Sequence, residues 1–273
     1  MSGHTSATVP NDMSAKTGGS GTAATSGQSG AARTGGAKKN VTCPELYVPA
    51  FFQPGAEWTT LAKAKAPPST VLLDLTSHGA GSAPEAGFRR AVAALERRGV
   101  MVLGYSTTSY ATRPIRQIVA DARHYAAWYN VHNIFLDEVT TGVRHLGYYE
   151  AVQKAIRAVE PKAKIWLNPG TFPARAYMRL GDVIMTFEGP WTSFRPLVVP
   201  AWTYRYAPSR FAFIVYATGE SNLRRAVRLA VRRHAGYVYV TNGTGGNPYA
   251  SLPSYFAAED QATAACAKPL NGS

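Results

Sequence analysis

Asn133-Ile134-Phe135-Leu136-Asp137-Glu138-Val139 decides the reading of the whole chain. Three large apolar side chains in a row, closed by two carboxylates, describe a buried strand whose carboxyl end meets solvent or a ligand. The same signature recurs on both sides of it. Short apolar runs, rich in β-branched and aromatic residues, occupy 46–51, 71–75, 100–105, 133–138, 164–168, 182–187, 211–216 and 236–241. Amphipathic stretches at 84–98, 114–129, 144–159, 173–180 and 221–234 separate them. Strands that are hydrophobic on both faces and alternate with helices predict a parallel sheet, and eight of them predict a closed (β/α)8 barrel. An open doubly wound sheet is the competing architecture. It lacks support because Gly79 and Gly81 are not followed by the third glycine and helix start of a dinucleotide fingerprint.

In a parallel barrel, chemistry sits at the carboxyl ends of the strands. Few of the predicted strands end in ionisable groups. The fourth ends in Asp137 and Glu138, and the sixth, Asp182-Val183-Ile184-Met185-Thr186-Phe187-Glu188, ends in Glu188. Neighbouring side chains on a strand alternate faces, so only one of Asp137 and Glu138 enters the barrel mouth fully; the other supports it or reaches over the rim. Two carboxylates flanking a sugar can divide proton donation from attack in glycoside cleavage. They can equally pair with arginines or cap helices, and on their own the residues leave both readings open.

Polar and aromatic groups surround the same rim. Asp74 lies on the second strand, Tyr105, Tyr110 and Arg113 follow the third, and Asn168 ends the fifth. Trp191, Trp202, Tyr204 and Tyr206 lie in the stretch after the sixth, and Tyr239 and Asn242 end the eighth. Aromatic faces stack on sugar rings while amides and guanidinium groups bond hydroxyls. This predicts Asp74, Tyr105, Tyr110, Arg113, Asn168, Trp202, Tyr239 and Asn242 as substrate contacts. None of the six histidines has metal-ligand spacing, so neither a metal nor another cofactor is expected.

The formal charge is +13. Lys16, Arg33, Lys38 and Lys39 against Asp12 place +3 of it in residues 1–40, which leaves +10 on the remainder. Such a surface favours anionic partners, yet no nucleic-acid-binding motif accompanies it, and no nucleic-acid partner is expected. The stretch 221–234 carries Arg224, Arg225, Arg228, Arg232 and Arg233, readable as a polyanion-binding ridge or as the solvated face of an outer helix. Residues 1–40 are built mainly of Gly, Ser, Thr and Ala and read as a flexible tail or linker; 41–270 form the predicted domain. No run of 18 apolar residues exists to span a membrane, and residues 1–30 hold no short apolar core of a secretory signal.

The two cysteines, Cys43 and Cys266, bracket the domain. Two distant thiols fit a metal site poorly, whereas the ends of a closed barrel are neighbours. A disulfide from the first strand to the last helix is therefore expected ahead of two unpaired thiols. By loop entropy it would contribute at most about 5 kcal/mol.

Several motifs in order resemble one family. They are Gly104-Tyr105-Ser106-Thr107-Thr108-Ser109-Tyr110-Ala111-Thr112-Arg113-Pro114, Ile134-Phe135-Leu136-Asp137-Glu138, Leu167-Asn168-Pro169-Gly170-Thr171 and Thr186-Phe187-Glu188-Gly189. Gly236-Tyr237-Val238-Tyr239-Val240-Thr241, Asn247-Pro248-Tyr249 and Leu252-Pro253-Ser254-Tyr255 follow. Over residues 45–260 this pattern resembles the spherulin-4 (spherulation-specific) family. The resemblance implies a (β/α)8 glycoside hydrolase, extracellular or at the cell surface, acting as a monomer without cofactor. The implied substrate is a polysaccharide containing α-1,4-linked galactosamine or N-acetylgalactosamine, cut internally. By the same resemblance Asp137 is the nucleophile or stabilising carboxylate, Glu188 the acid/base, and Glu138 an orienting neighbour. A glycan-binding barrel without turnover is the alternative. Because the domain is cationic, an acetylated or anionic glycan suits it better than a deacetylated, cationic one.

Overall fold

The computed structural model describes residues 43–264. The chain divides into two units, Met1–Val41 and Thr42–Ser273, and the architecture below belongs to the second. Its eight parallel strands close in sequence order, β1 to β8, with β8 returning to β1. They are β1 (Glu45–Ala50), β2 (Thr70–Leu73), β3 (Met101–Thr107), β4 (Asn133–Asp137), β5 (Ile165–Leu167), β6 (Val183–Pro190), β7 (Phe211–Tyr216) and β8 (Tyr237–Val240). The predicted (β/α)8 barrel is the observed one, and each predicted strand overlaps an observed strand.

The helical layer is uneven. The main outer helices are α1 (Ala56–Lys63), α2 (Ala86–Glu96), α3 (Ile115–Tyr129), α4 (Leu146–Val159), the four-residue α5 (Trp191–Phe194), α6 (Glu220–Arg232) and α7 (Phe256–Ala264). The helix expected at 173–180 is instead a five-residue 3-10 turn, Arg175–Arg179. Pro173 stands just before it and Gly181 just after it. The space is short as well: a Cβ on Gly181 would press on Leu167 and Ile184, so the chain must drop straight into β6. Elsewhere a glycine brings layers together. Gly104 of β3 lies under the ring of Tyr125, which leaves no room for a Cβ and seats α3 directly on the sheet.

Register shows which side chains fill the barrel, because paired residues in a parallel ladder share a face. Tyr47 pairs with Thr70, Thr70 with Met101, Leu103 with Asn133 and Phe135 with Trp166. At its centre Tyr47 stacks on Phe135 at 6.2 Å and tilts against Trp166 at 5.1 Å, and Trp166 meets Tyr237 at 4.7 Å. This packed floor, entirely buried at Tyr47, leaves only the upper rim for a ligand. The β1–β8 seam has two registered pairs, against six between β6 and β7. Beside it, the buried carboxylate of Glu259, from α7, accepts the backbone N–H of Val240 at 2.5 Å.

Candidate active site

Asp137 is the last residue of β4 and pairs with Thr107, which aims it into the barrel with Tyr105 and Phe135. Glu188 reaches the same mouth by another route. Val183 and Met185 face inward, since they pair with Trp166 and Ala212. Strict alternation would then turn Glu188 outward. Instead the register slips between Met185 and Phe187, and Glu188 pairs with Ile214, two residues beyond Ala212 on the same inner face. One extra residue in β6 reverses the parity and delivers the carboxylate to the mouth.

Asn168, just past β5, joins the two acids. Its Nδ2 donates to Asp137 Oδ1 at 2.8 Å and to Glu188 Oε2 at 2.6 Å, while its Oδ1 accepts the N–H of Gly170 at 2.9 Å. The two oxygens sharing that nitrogen are therefore at most 5.4 Å apart, the sum of the two bonds. Each acid also has its own phenol: Tyr105 donates to Asp137 Oδ2 at 2.8 Å, and Tyr249 to Glu188 Oε1 at 2.7 Å. Phe51, at the end of β1, stands edge-on to both phenols, 5.8 Å from the Tyr105 ring and 5.6 Å from that of Tyr249.

Burial and the charge of Glu188 push the Asp137 carboxyl up to about 7, against the pull of the Tyr105 hydrogen bond. Burial and the same carboxylates raise the phenols of Tyr105 and Tyr249, so both stay protonated donors at physiological pH. Two carboxylates this close cannot both ionise freely near neutrality. The pair holds one proton between them over part of that range.

Glu138 goes over the rim. Its backbone is left-handed, φ 53°, which carries the side chain back to accept the hydroxyl of Thr107 at 2.5 Å. Its carbonyl accepts the N–H of Tyr110 at 2.9 Å. Left-handed non-glycine residues gather along this rim: Ser77, Ser109, Tyr110, Ala111, Glu138 and Ala217. Such conformations cost on the order of 1–3 kcal/mol each and mark places where geometry is held for a purpose.

The remaining predicted contacts divide. Tyr110 is 60% exposed on the rim, and its phenol is raised by partial burial and then by the charges of Glu138, Asp137 and Glu188. Asp74 bonds the N–H of Ser77 at 2.8 Å in the loop after β2, and its charge acts on Tyr105. Arg113 is committed to the protein: it pairs with Asp121 at 2.8 Å and donates to the carbonyl of His78, Ser106 Oγ and the carbonyl of Thr107. Tyr239 lies fully buried inside the barrel, 6.4 Å from the Tyr249 ring, and so supports the site from beneath. Asn242 is exposed and exchanges hydrogen bonds with Ser254. Trp202 packs on Phe172, Tyr206 and Phe211. Phe211 opens β7 on its outward face, at the end away from Glu188, so Trp202 belongs to the outer layer. Of the two cysteines, Cys266 lies outside the described residues, and no described cysteine is free.

Sequence reasoning did not single out Tyr249 or Phe51 as site residues. Tyr249 was visible only as part of the Asn247-Pro248-Tyr249 motif, and Phe51 only as the end of an apolar run. Among the described residues no group of three or more His, Cys, Asp or Glu side chains is arranged around a common metal position.

A closed parallel barrel whose mouth holds a bridged pair of acids, each with a tyrosine donor, has the make-up of a small-ligand site at the carboxyl ends of its strands. Residues 45–262 match the model of spherulation-specific family 4, and the chain belongs to that family. Spherulin-4 of Physarum polycephalum is 29% identical over 233 residues, spanning 80% of this chain and 69% of that protein. Among solved structures, Sph3 of Aspergillus clavatus, crystallised in complex with GalNAc, superposes with a TM-score of 0.70 at 22% identity. The match covers 82% of this chain and 98% of that one, and it shows the shared fold.

Proposed function

We propose that this protein hydrolyses glycosidic bonds within an amino-sugar polysaccharide, N-acetylgalactosamine-containing by analogy with the ligand of the Aspergillus relative, using Asp137 and Glu188 as its two carboxylates. The observation that carries this reading is the amide of Asn168 bridging both acids. Retaining glycosidases hold their carboxyl groups about 5–5.5 Å apart and inverting ones about 6.5–9.5 Å. A pair bridged by one nitrogen matches the shorter spacing and supports a double displacement.

In that sequence Asp137 attacks the anomeric carbon while Glu188 protonates the departing oxygen; Glu188 then takes a proton from the water that releases the sugar. Roles are assigned from the family resemblance; Asp137, raised to about 7, must give up its proton before it attacks. Glu138, tied to Thr107, holds the β3–β4 rim. Tyr110 offers aromatic surface, Tyr105 holds Asp137 from within the barrel, and Asn168 positions both acids. An extracellular or cell-surface setting and a Cys43–Cys266 bridge belong to the same reading.

Incubation with an α-1,4-linked N-acetylgalactosamine polymer tests it. New reducing ends are expected with the wild type and a loss of at least about a thousandfold with Asp137→Asn or Glu188→Gln. Binding of the polymer without cleavage by the wild type would instead favour a lectin-like barrel.

A further inference from the structure

Helix α6 bears four arginines, and a fifth, Arg233, caps its end. Two of the five are spoken for. Arg225 lies 5.8 Å over the Trp191 ring, and Arg233 donates to the carbonyls of Phe194 and Arg195 at 2.6 and 2.7 Å. The other three, Arg224, Arg228 and Arg232, recur every fourth residue and form one row along the helix, at steps of about 6 Å. Leu223, Ala226, Val227 and Ala230 bury the opposite face, which directs the row to solvent. Among the described residues the ion pairs are Arg113–Asp121, His132–Glu160, Arg157–Asp182 and Arg179–Glu150, so none of the three arginines has an acidic partner. The single acid of the helix, Glu220, is confined to its first turn. Like charges four residues apart disfavour a helix, and a polyanion laid along the row would reverse that repulsion.

We propose that this row is a docking surface for an acidic polysaccharide, separate from the barrel mouth. Guanidinium groups pair with carboxylate or sulfate through two parallel hydrogen bonds. A line of three such groups fits an extended polymer with repeated anions better than a compact ion. Single-stranded nucleic acid is the weaker match, because it binds by base stacking as well as charge. The aromatic rings under the ridge, Trp191 and Phe194, are buried at 8% and 0% exposure and offer no free face.

The test is binding of the full chain to polygalacturonate, with a 20-base single-stranded DNA as comparison, at low and moderate salt. Arg224→Gln/Arg228→Gln/Arg232→Gln is expected to weaken polygalacturonate binding on the order of tenfold. A control that removes the same charge elsewhere, Arg116→Gln/Arg123→Gln/Lys154→Gln, is expected to change it less than about twofold. Circular dichroism and Tm check that both variants stay folded; Arg228→Glu alone gives the same sign if the triple variant does not. Equal losses in the two triple variants, no binding by the wild type, or tighter binding of DNA than of polygalacturonate would each overturn the proposal.

Discussion

Tyr249 donates its phenolic proton to Glu188 at 2.7 Å, linking the loop after β8 to the tip of β6. With the Asn168 amide on the other oxygen, the bond leaves both oxygens of Glu188 held by donors and fixes where the carboxyl group points. Tyr249→Phe keeps the ring against Phe51 and Tyr239 and removes only the donor. Activity should fall about tenfold, the effect of roughly 1.4 kcal/mol. Steady-state kinetics of the variant check it; activity within about twofold of wild type would show that the bond does not act on the pair.

Asp137 is raised in the folded protein to about 7, first by burial and then by Glu188. The folded state thus binds a proton more tightly at this residue than the unfolded chain does. Its contribution to stability is complete below the ordinary carboxylate range and is lost as pH rises through 7. Asp137→Asn removes that penalty. The variant is expected to be inactive yet to melt higher than the wild type at pH 8, with the advantage shrinking toward pH 4. Thermal melts at the two pH values measure it, and a variant less stable than wild type at pH 8 would contradict it.

Arg113 and Asp121 form a buried tie, 14% and 10% exposed, that also holds the loop after β2 through the carbonyl of His78 and the N–H of Ala80. Arg113→Ala would leave the Asp121 carboxylate buried without its cation. A loss of about 3 kcal/mol is expected, lowering Tm by roughly 6–12 °C. Gly79→Ala should act in the same direction, since a Cβ there runs into the Asp121 carboxylate. Differential scanning calorimetry of both variants is the check, with a Tm within about 2 °C of wild type as the contrary result.

Much of the barrel was legible because parallel strands covered on both faces are written as unbroken apolar runs. Ile134-Phe135-Leu136 before Asp137 is such a run, and the observed β4 ends on that aspartate. The prediction that only one of Asp137 and Glu138 could face inward follows from alternation, and the left-handed Glu138 obeys it. Glu188 shows where alternation stops being a guide. Counting from Val183 turns it outward, and only the register slip between Met185 and Phe187, which no residue pattern announces, turns it in. Arg113 and Trp202 were assigned to the mouth because they follow strand tips in sequence. A charged side chain near a tip can as easily be consumed by the scaffold, and the segment after β6 folds back along the outside of the sheet to Phe211. Tyr249 was harder still to place: it is separated from Glu188 by 61 positions and comes to it only through closure of the barrel.

The central claim is that Asp137 and Glu188 act on one sugar as a closely spaced pair. The most direct test is proton NMR of the first product anomer released from an α-1,4-linked N-acetylgalactosamine oligomer, before mutarotation. The spacing imposed by Asn168 predicts that the α anomer appears first. Initial release of the β anomer would contradict the account.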